Sequence, residues 1–256
     1  MVREGPVSPA QLVRATAAMI AFGLASAGCS SFLGTTAGSF MRHIRTSEDP
    51  NLRYSAYGKL ADPGCYTSEE QKDEAVKLLA AALEPGREPT ATRVMICRTL
   101  GELGRPEARE ALIKATDDPD ALIRSEACRA LGKVGTQADV AVLSRVMTLD
   151  RQSDCRIAAI DGLGELNTSD LRTQSLLVEN MDHLDPAVRL ASLRALRKLT
   201  GKDLGIETGA WRAYVAERAA AEATESGQGP RGAGPGNVPA RDSETRRVAT
   251  SPPPLP

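Results

Sequence analysis

An arginine returns through the middle of this chain at nearly constant spacing, and that repetition constrains the fold more than any other feature. Arg93, Arg124, Arg156 and Arg189 are separated by 31, 32 and 33 residues. Four residues after each stands an apolar one: Cys97, Cys128, Ile160 and Leu193. Three residues further comes a leucine: Leu100, Leu131, Leu163 and Leu196. Offsets of four and seven keep side chains on one helical face. Gly101, Gly132 and Gly164 follow three of the leucines, and Leu103-Gly104 and Val134-Gly135 close two copies. These glycines follow helical sequence, so they read as helix ends and not as a phosphate loop, which would follow a strand. A fainter copy opens the array at Arg53, Tyr57 and Leu60. It is lengthened by an insert at 61–68 around Asp62-Pro63-Gly64, ahead of a capping box at Ser68 to Gln71.

Each copy reads as two helices. Asp120 to Lys133 puts Leu122, Ile123, Ala127, Ala130, Leu131 and Val134 at helical spacing, and Gly135 ends the run. Gln137 to Met147 puts Val140, Leu143, Val146 and Met147 on one side. The dipeptide Asp-Pro recurs as Asp49-Pro50, Asp118-Pro119 and Asp185-Pro186. Asp can cap a helix and Pro fits its first turn. Helices this short are insecure alone, and each carries an apolar stripe that a neighbour must cover. Units that contact only the next unit make a solenoid. The composition agrees: aromatic residues are 3 % of the chain, fewer than a compact β-rich domain carries. The expected fold is all-α, an α-solenoid of about five antiparallel helix pairs over 49–220, closed by a capping helix from Thr208 to about Ala220.

The run from Asp118 to Gly132, Asp-Pro-x-x-x-x-Arg-x-x-Ala-x-x-Ala-Leu-Gly, resembles the short HEAT-like repeat of the phycobilin lyases. The resemblance covers 49 to about 200. The close of the array, Leu199 to Gly205 followed by Trp211, resembles the end of many bacterial HEAT-repeat proteins. The resemblance implies an arginine ladder: Arg93, Arg124, Arg156 and Arg189 would bond loop aspartates, with Asp118, Asp150 and Asp185 as candidates. It also implies that second helices line the inner face of the array. Polar residues placed there are Glu107, Glu110, Lys114, Asp139, Arg145, Arg172, Gln174 and Glu179. Another relative of this repeat family is a di-iron hydroxylase whose repeats carry His-Glu pairs. No His-Glu dipeptide occurs here, so that activity is not implied.

The start of the chain reads as an export signal over 1–29. Ala15 to Gly28 is uncharged and mostly apolar, and at 14 residues too short to span a bilayer. Ala27-Gly28-Cys29-Ser30 resembles a bacterial lipoprotein junction, which implies acylation at Cys29. Ser26 departs from that pattern, where Leu is usual. The expected location is the cell envelope, membrane-anchored and facing the periplasm or the exterior, with secretion as the alternative. Residues 30–48, which include His43, read as a tether, and 221–256 as a disordered tail rich in proline and glycine. The tail's proline run, Ser251 to Pro256, could adopt polyproline II.

The remaining residues argue against chemistry. Two histidines leave little material for a metal site or a catalytic dyad. Asp182, His183 and Asp185 form the nearest thing to a ligand cluster, in a loop where acidic residues are routine. There is no C-x-x-C pair. Cys97 and Cys128 read as buried small hydrophobes, and Cys65, in the insert, as the exposed thiol. A net charge of −1 with acids interleaved among the arginines excludes a nucleic-acid partner. The expectation is a non-catalytic scaffold without cofactor that binds a protein or peptide. A structural lipoprotein, or a lyase- or hydroxylase-related enzyme subunit, is the alternative.

Overall fold

A computed structural model describes residues 33–225. Among them the chain forms eleven α-helices and three short 3-10 turns, and no strand. After an opening helix α1 (Ala37–Thr46), five arginine-bearing first helices alternate with second helices. The first helices are α2 (Pro50–Lys59), α4 (Thr90–Leu103), α6 (Ala121–Val134), α8 (Ser153–Glu165) and α10 (Pro186–Thr200). The second helices are α3 (Glu69–Ala82), α5 (Arg109–Ala115), α7 (Val140–Leu149), α9 (Leu171–Asn180) and the closing α11 (Thr208–Glu225). Successive first helices pack on one another, and α3, α5, α7 and α9 each pack on the first helix that follows. The core therefore runs along the array as one continuous cluster, from Ala37 to Val215. A compact unit carrying the repeats ends at Val215, and a second one starts at Ala216.

The glycines of the repeat have a different role from the one their position suggests. Gly101, Gly132 and Gly164 lie in the last turns of α4, α6 and α8 but do not terminate them, since each helix runs on past its glycine. A Cβ on Gly132 would stand 2.6 Å from the Cα of Gly162, and one on Gly162 would stand 2.7 Å from the Cys128 carbonyl oxygen. A Cβ on Gly101 would meet Ala130 at 3.0 Å, and one on Gly164 would meet Ala195 at 3.4 Å. Small residues thus form the seam along which first helices touch backbone to backbone. Chain termination falls to Gly104, at φ 64°, and Gly201, at φ 65°, both in the left-handed region that favours glycine.

The arginines hold the loops that join one unit to the next. Nη1 of Arg124, Arg156 and Arg189 donates to the carbonyl six residues earlier, at Asp118, Asp150 and His183, over 2.8–2.9 Å. Arg53 makes the same bond to the Ser47 carbonyl at 3.4 Å. Backbone oxygens there lie at or just past the end of a helix and lack an intrahelical donor, so a guanidinium fork from the next first helix supplies one. Three of the five arginines also reach a carboxylate one unit on. Arg53 pairs with Glu88 at 3.1 Å, and Arg93 with Asp118 at 2.5 Å. Arg124 takes Asp150 with two bonds of 2.8 and 3.1 Å, which hold the Asp150 carboxyl below its usual range.

Several sequence expectations are corrected. Residues 30–48 are not a plain tether, because 37–46 form α1. Thr36 and Ser39 make a reciprocal capping box, and Ala37, Phe40, Met41 and Ile44 are buried against α2 and α3. Asp118 does not cap α6; it pairs with Arg93, and Asp120 caps instead. Ser68 caps α3, but Gln71 returns its bond to the Thr67 amide and not to Ser68. Leu122, placed in the core by periodicity, is 63 % exposed. Cys65 is buried, not exposed, as are Cys97, Cys128 and Cys155. Burial pushes the thiols of Cys97 and Cys128 up to about 12, so both are protonated at neutral pH. Helix α11 continues to Glu225, beyond the start of the expected tail. The signal, Cys29 and the tail beyond 225 lie outside the described residues.

Candidate functional site

Six of the eight residues placed on the second-helix face are exposed: Glu107, Glu110, Lys114, Arg145, Arg172 and Glu179. Glu107 lies in a 3-10 turn, Pro106–Ala108, that leads into α5. Glu110 and Lys114 pair with each other across one turn at 3.1 Å. Glu107, Arg172 and Glu179 have no ion-pair partner among the described residues. The opposite situation holds on the first helices. Lys133 pairs with Glu102, Arg194 with Asp161 and Lys198 with Glu165, each reaching back to the preceding first helix. Arg98 and Arg129 converge on Glu126. On α4 and α6 every charged side chain is ion-paired, while the second helix α9 and the turn before α5 leave Glu107, Arg172 and Glu179 without such a pair.

Three of the eight belong to the scaffold. Asp139 is fully buried: its Oδ2 accepts from Arg109 Nε at 2.5 Å and from the Thr136 amide at 2.8 Å. Burial works to raise the Asp139 carboxyl, and those bonds outweigh it and bring the group below its usual range. Gln174 is fully buried, with Nε2 directed at the Ser169 carbonyl at 3.5 Å. Arg145 is bound by both oxygens of Asp117, at 2.7 and 3.0 Å. The sequence offers a signal for Asp139. It stands three residues after Thr136 in a capping box, where a carboxylate turns inward to the chain's own amide.

Between α7 and α9 the same face opens a groove of about 590 Å³. Val140, Ala141 and Leu176 give it an apolar floor, and Gln137, Ser144 and Arg172 a polar margin. Gln137 is fixed by a 2.6 Å bond to Thr168 across the unit boundary. A groove of this mixed lining suits a side chain or short peptide segment of a partner. Asp170 and Thr173 also line it, and the Thr173 hydroxyl donates to the Asp170 carboxylate at 2.7 Å as part of the cap of α9.

The ladder arginines divide as well. Asp185, the expected partner of Arg156, caps α10 through the Ala187 amide at 2.9 Å and takes a bond from Ser153. Arg156 donates to that same Ser153 hydroxyl at 2.8 Å, so the two are linked through a serine and not directly. Arg189 has no carboxylate among the described residues. His183 accepts from the Asp185 amide at 3.0 Å, while Asp182 is held by Thr208 at 2.7 Å and Arg212 at 3.1 Å. No group of three His, Cys, Asp or Glu side chains able to hold a metal ion occurs among the described residues.

Residues 76–164 match the family model for HEAT repeats. The fold is a stack of HEAT repeats. A curated protein from Eremothecium gossypii named deoxyhypusine hydroxylase is 31 % identical over 146 residues, covering 57 % of this chain and 44 % of that one. The chain thus spans less than half the length of the curated relative it matches. Among solved structures, the complex of CpcE and CpcF of phycocyanin lyase from Nostoc sp. PCC7120 aligns at TM-score 0.54 and 22 % identity, over 69 % of this chain and 70 % of that one. An engineered protein aligns at TM-score 0.48 and 17 % identity, over 71 % of this chain and 87 % of that one. The expectation that the chain is not an enzyme is corrected by these comparisons, since the curated relative is itself named an enzyme and the aligned complex is a lyase.

Proposed function

We propose that this chain is a HEAT-repeat component of an enzyme assembly and engages a protein partner through its second-helix face. The observation that carries the proposal is the contrast between the two faces. Every charged side chain of α4 and α6 is ion-paired, whereas Glu107, Arg172 and Glu179 make no ion pair among the described residues, and Arg172 lines a preformed groove. Complementary charge at such a rim selects a partner and speeds its association. The hydroxylase name of the curated relative and the two-protein lyase of the aligned structure support an enzyme-linked setting.

The test is recovery of the full chain with its bound proteins from native cells. Reversing charge at Lys114 and Arg172 together is expected to lose the specific partner, and reversing Arg98 and Arg129 on the first helices to keep it. Equal loss from both pairs, or none from either, would sink the proposal. A second readout follows the catalytic activity of the recovered assembly, which should fall with partner loss.

We propose in addition that the chain is exported and acylated at Cys29, in the cell envelope. This rests on the sequence of 15–30 alone. The variant Cys29→Ala is expected to move the protein from the membrane to the soluble fraction, because it removes the acyl anchor. An unchanged distribution would end the anchor reading.

A further inference from the structure

The last arginine of the ladder is left without the partner its position calls for. Arg53, Arg93 and Arg124 each hold a carboxylate one unit on, and Arg156 reaches one through Ser153. Arg189 spends Nη1 on the carbonyls of His183 and Leu184, at 2.8 and 3.0 Å, and has no carboxylate among the described residues. The two acids that precede it in the same loop are engaged elsewhere. Asp185 is committed to the cap of α10 and to Ser153, and Asp182 to Thr208 and Arg212.

Around this arginine large apolar side chains stand in solvent. Leu184, whose carbonyl Arg189 grips, is 95 % exposed, and Leu190, next in sequence, is 54 % exposed. Ile206 is 73 % exposed and is brought to the same end of α10 by the bond from Thr208 to Asp182. Three of the six exposed large hydrophobics among the described residues therefore lie on α10 and on the two loops that this bond joins. Apolar clusters rimmed by charge mark binding surfaces. The planar fork of Arg can take a carboxylate with two parallel bonds, as Arg124 takes Asp150.

We propose that Leu184, Arg189, Leu190 and Ile206 dock a partner protein segment that places an Asp or Glu carboxylate between large aliphatic side chains. The carboxylate would take at Arg189 the place that Asp118 and Asp150 fill for Arg93 and Arg124, and the aliphatic groups would cover the three exposed side chains. This rests on the reading of the chain as a protein-binding array and adds a second contact, on the loop edge of the last units.

The experiment uses the full chain and a fluorescein-labelled peptide with the core Leu-Leu-Asp-Leu-Leu, followed by anisotropy. Binding is expected, and Arg189→Gln or Leu184→Ser should weaken it about tenfold, as loss of one charge-assisted or one buried contact does. A peptide with Asn in place of Asp should bind as weakly, with no further loss on Arg189→Gln, as a coupled pair requires. Leu122→Ser, at an exposed leucine of α6, should change nothing. Leu184→Ser removes only an exposed side chain, whereas Arg189→Gln also gives up the bonds to the His183 and Leu184 carbonyls, so a loss shared by both variants is a loss of the docking contact and not of the loop. No detectable binding, or binding indifferent to both variants, would overturn the proposal. Sedimentation of the chain alone gives another arm: self-association abolished by Arg189→Gln would make the occupant a second copy and overturn a foreign segment. Charge reversal at Lys114 and Arg172 should leave peptide binding intact, which separates this test from that of the second-helix face.

Discussion

Gly132→Ala is expected to destabilise the protein by about 2 kcal/mol, with overpacking of a closed interface as the cause. The added methyl would stand 2.6 Å from the Gly162 Cα and 2.8 Å from the Gly162 carbonyl oxygen. Neither atom belongs to a flexible side chain, so α6 and α8 must separate. Separation would loosen Cys128, Leu131 and Leu163, all fully buried in the core. Because each unit rests on its neighbours, the strain should lower the stability of the array beyond one pair of helices. Urea unfolding followed by helical circular dichroism would measure the change. Gly209→Ala serves as the comparison. No atom lies within 4 Å of its added Cβ, and it should fall within about 0.5 kcal/mol of the parent. A Gly132→Ala protein as stable as the Gly209→Ala one would refute the account of the seam.

Arg93→Met should cost more, about 3 kcal/mol. Its side chain is 9 % exposed and that of Asp118 is 2 % exposed. Removing the guanidinium leaves a buried carboxylate without its counter-charge, and it deprives the Leu83 carbonyl of the 2.8 Å bond from Arg93 Nε. A broken buried pair is costly mainly because the surviving charge stays desolvated. The double variant Arg93→Met, Asp118→Leu should therefore recover much of the loss. By contrast Lys133→Met should stay within about 0.5 kcal/mol, because its pair with Glu102 is exposed on both sides. If Arg93→Met behaves like Lys133→Met in thermal unfolding, the ladder is not a structural element.

The repeat and its arginines were legible in the sequence because each copy presents the same side chains to the same environment. Periodicity placed α6 within a residue at either end. The role of Gly132 was less legible, because a glycine near the end of an apolar run is common both as a terminator and as a contact point. Only the neighbouring helix, with Gly162 opposite, distinguishes the two. Helix α1 carries the apolar spacing of 37, 40, 41 and 44, yet its flanking Gly, Ser and Thr hide that stripe. Asp139 and Gln174 look like surface residues because their type favours solvent. Their burial follows from the 3-10 turn before α7 and from the α8–α9 loop, which no helical period encodes. The partnerless state of Arg189 was not visible at all, since it depends on what Asp182 and Asp185 bind elsewhere.

In the proposed function, partners meet the second helices α5, α7 and α9, while α4, α6 and α8 serve the stack. Hydrogen exchange of the full chain, free and in its recovered complex, tests this most directly. The account predicts new protection in α5, in α7 with its entrance at 137–139, and in α9. It predicts unchanged exchange in α4, α6 and α8. New protection confined to the first helices, with α7 and α9 unaltered, would contradict it.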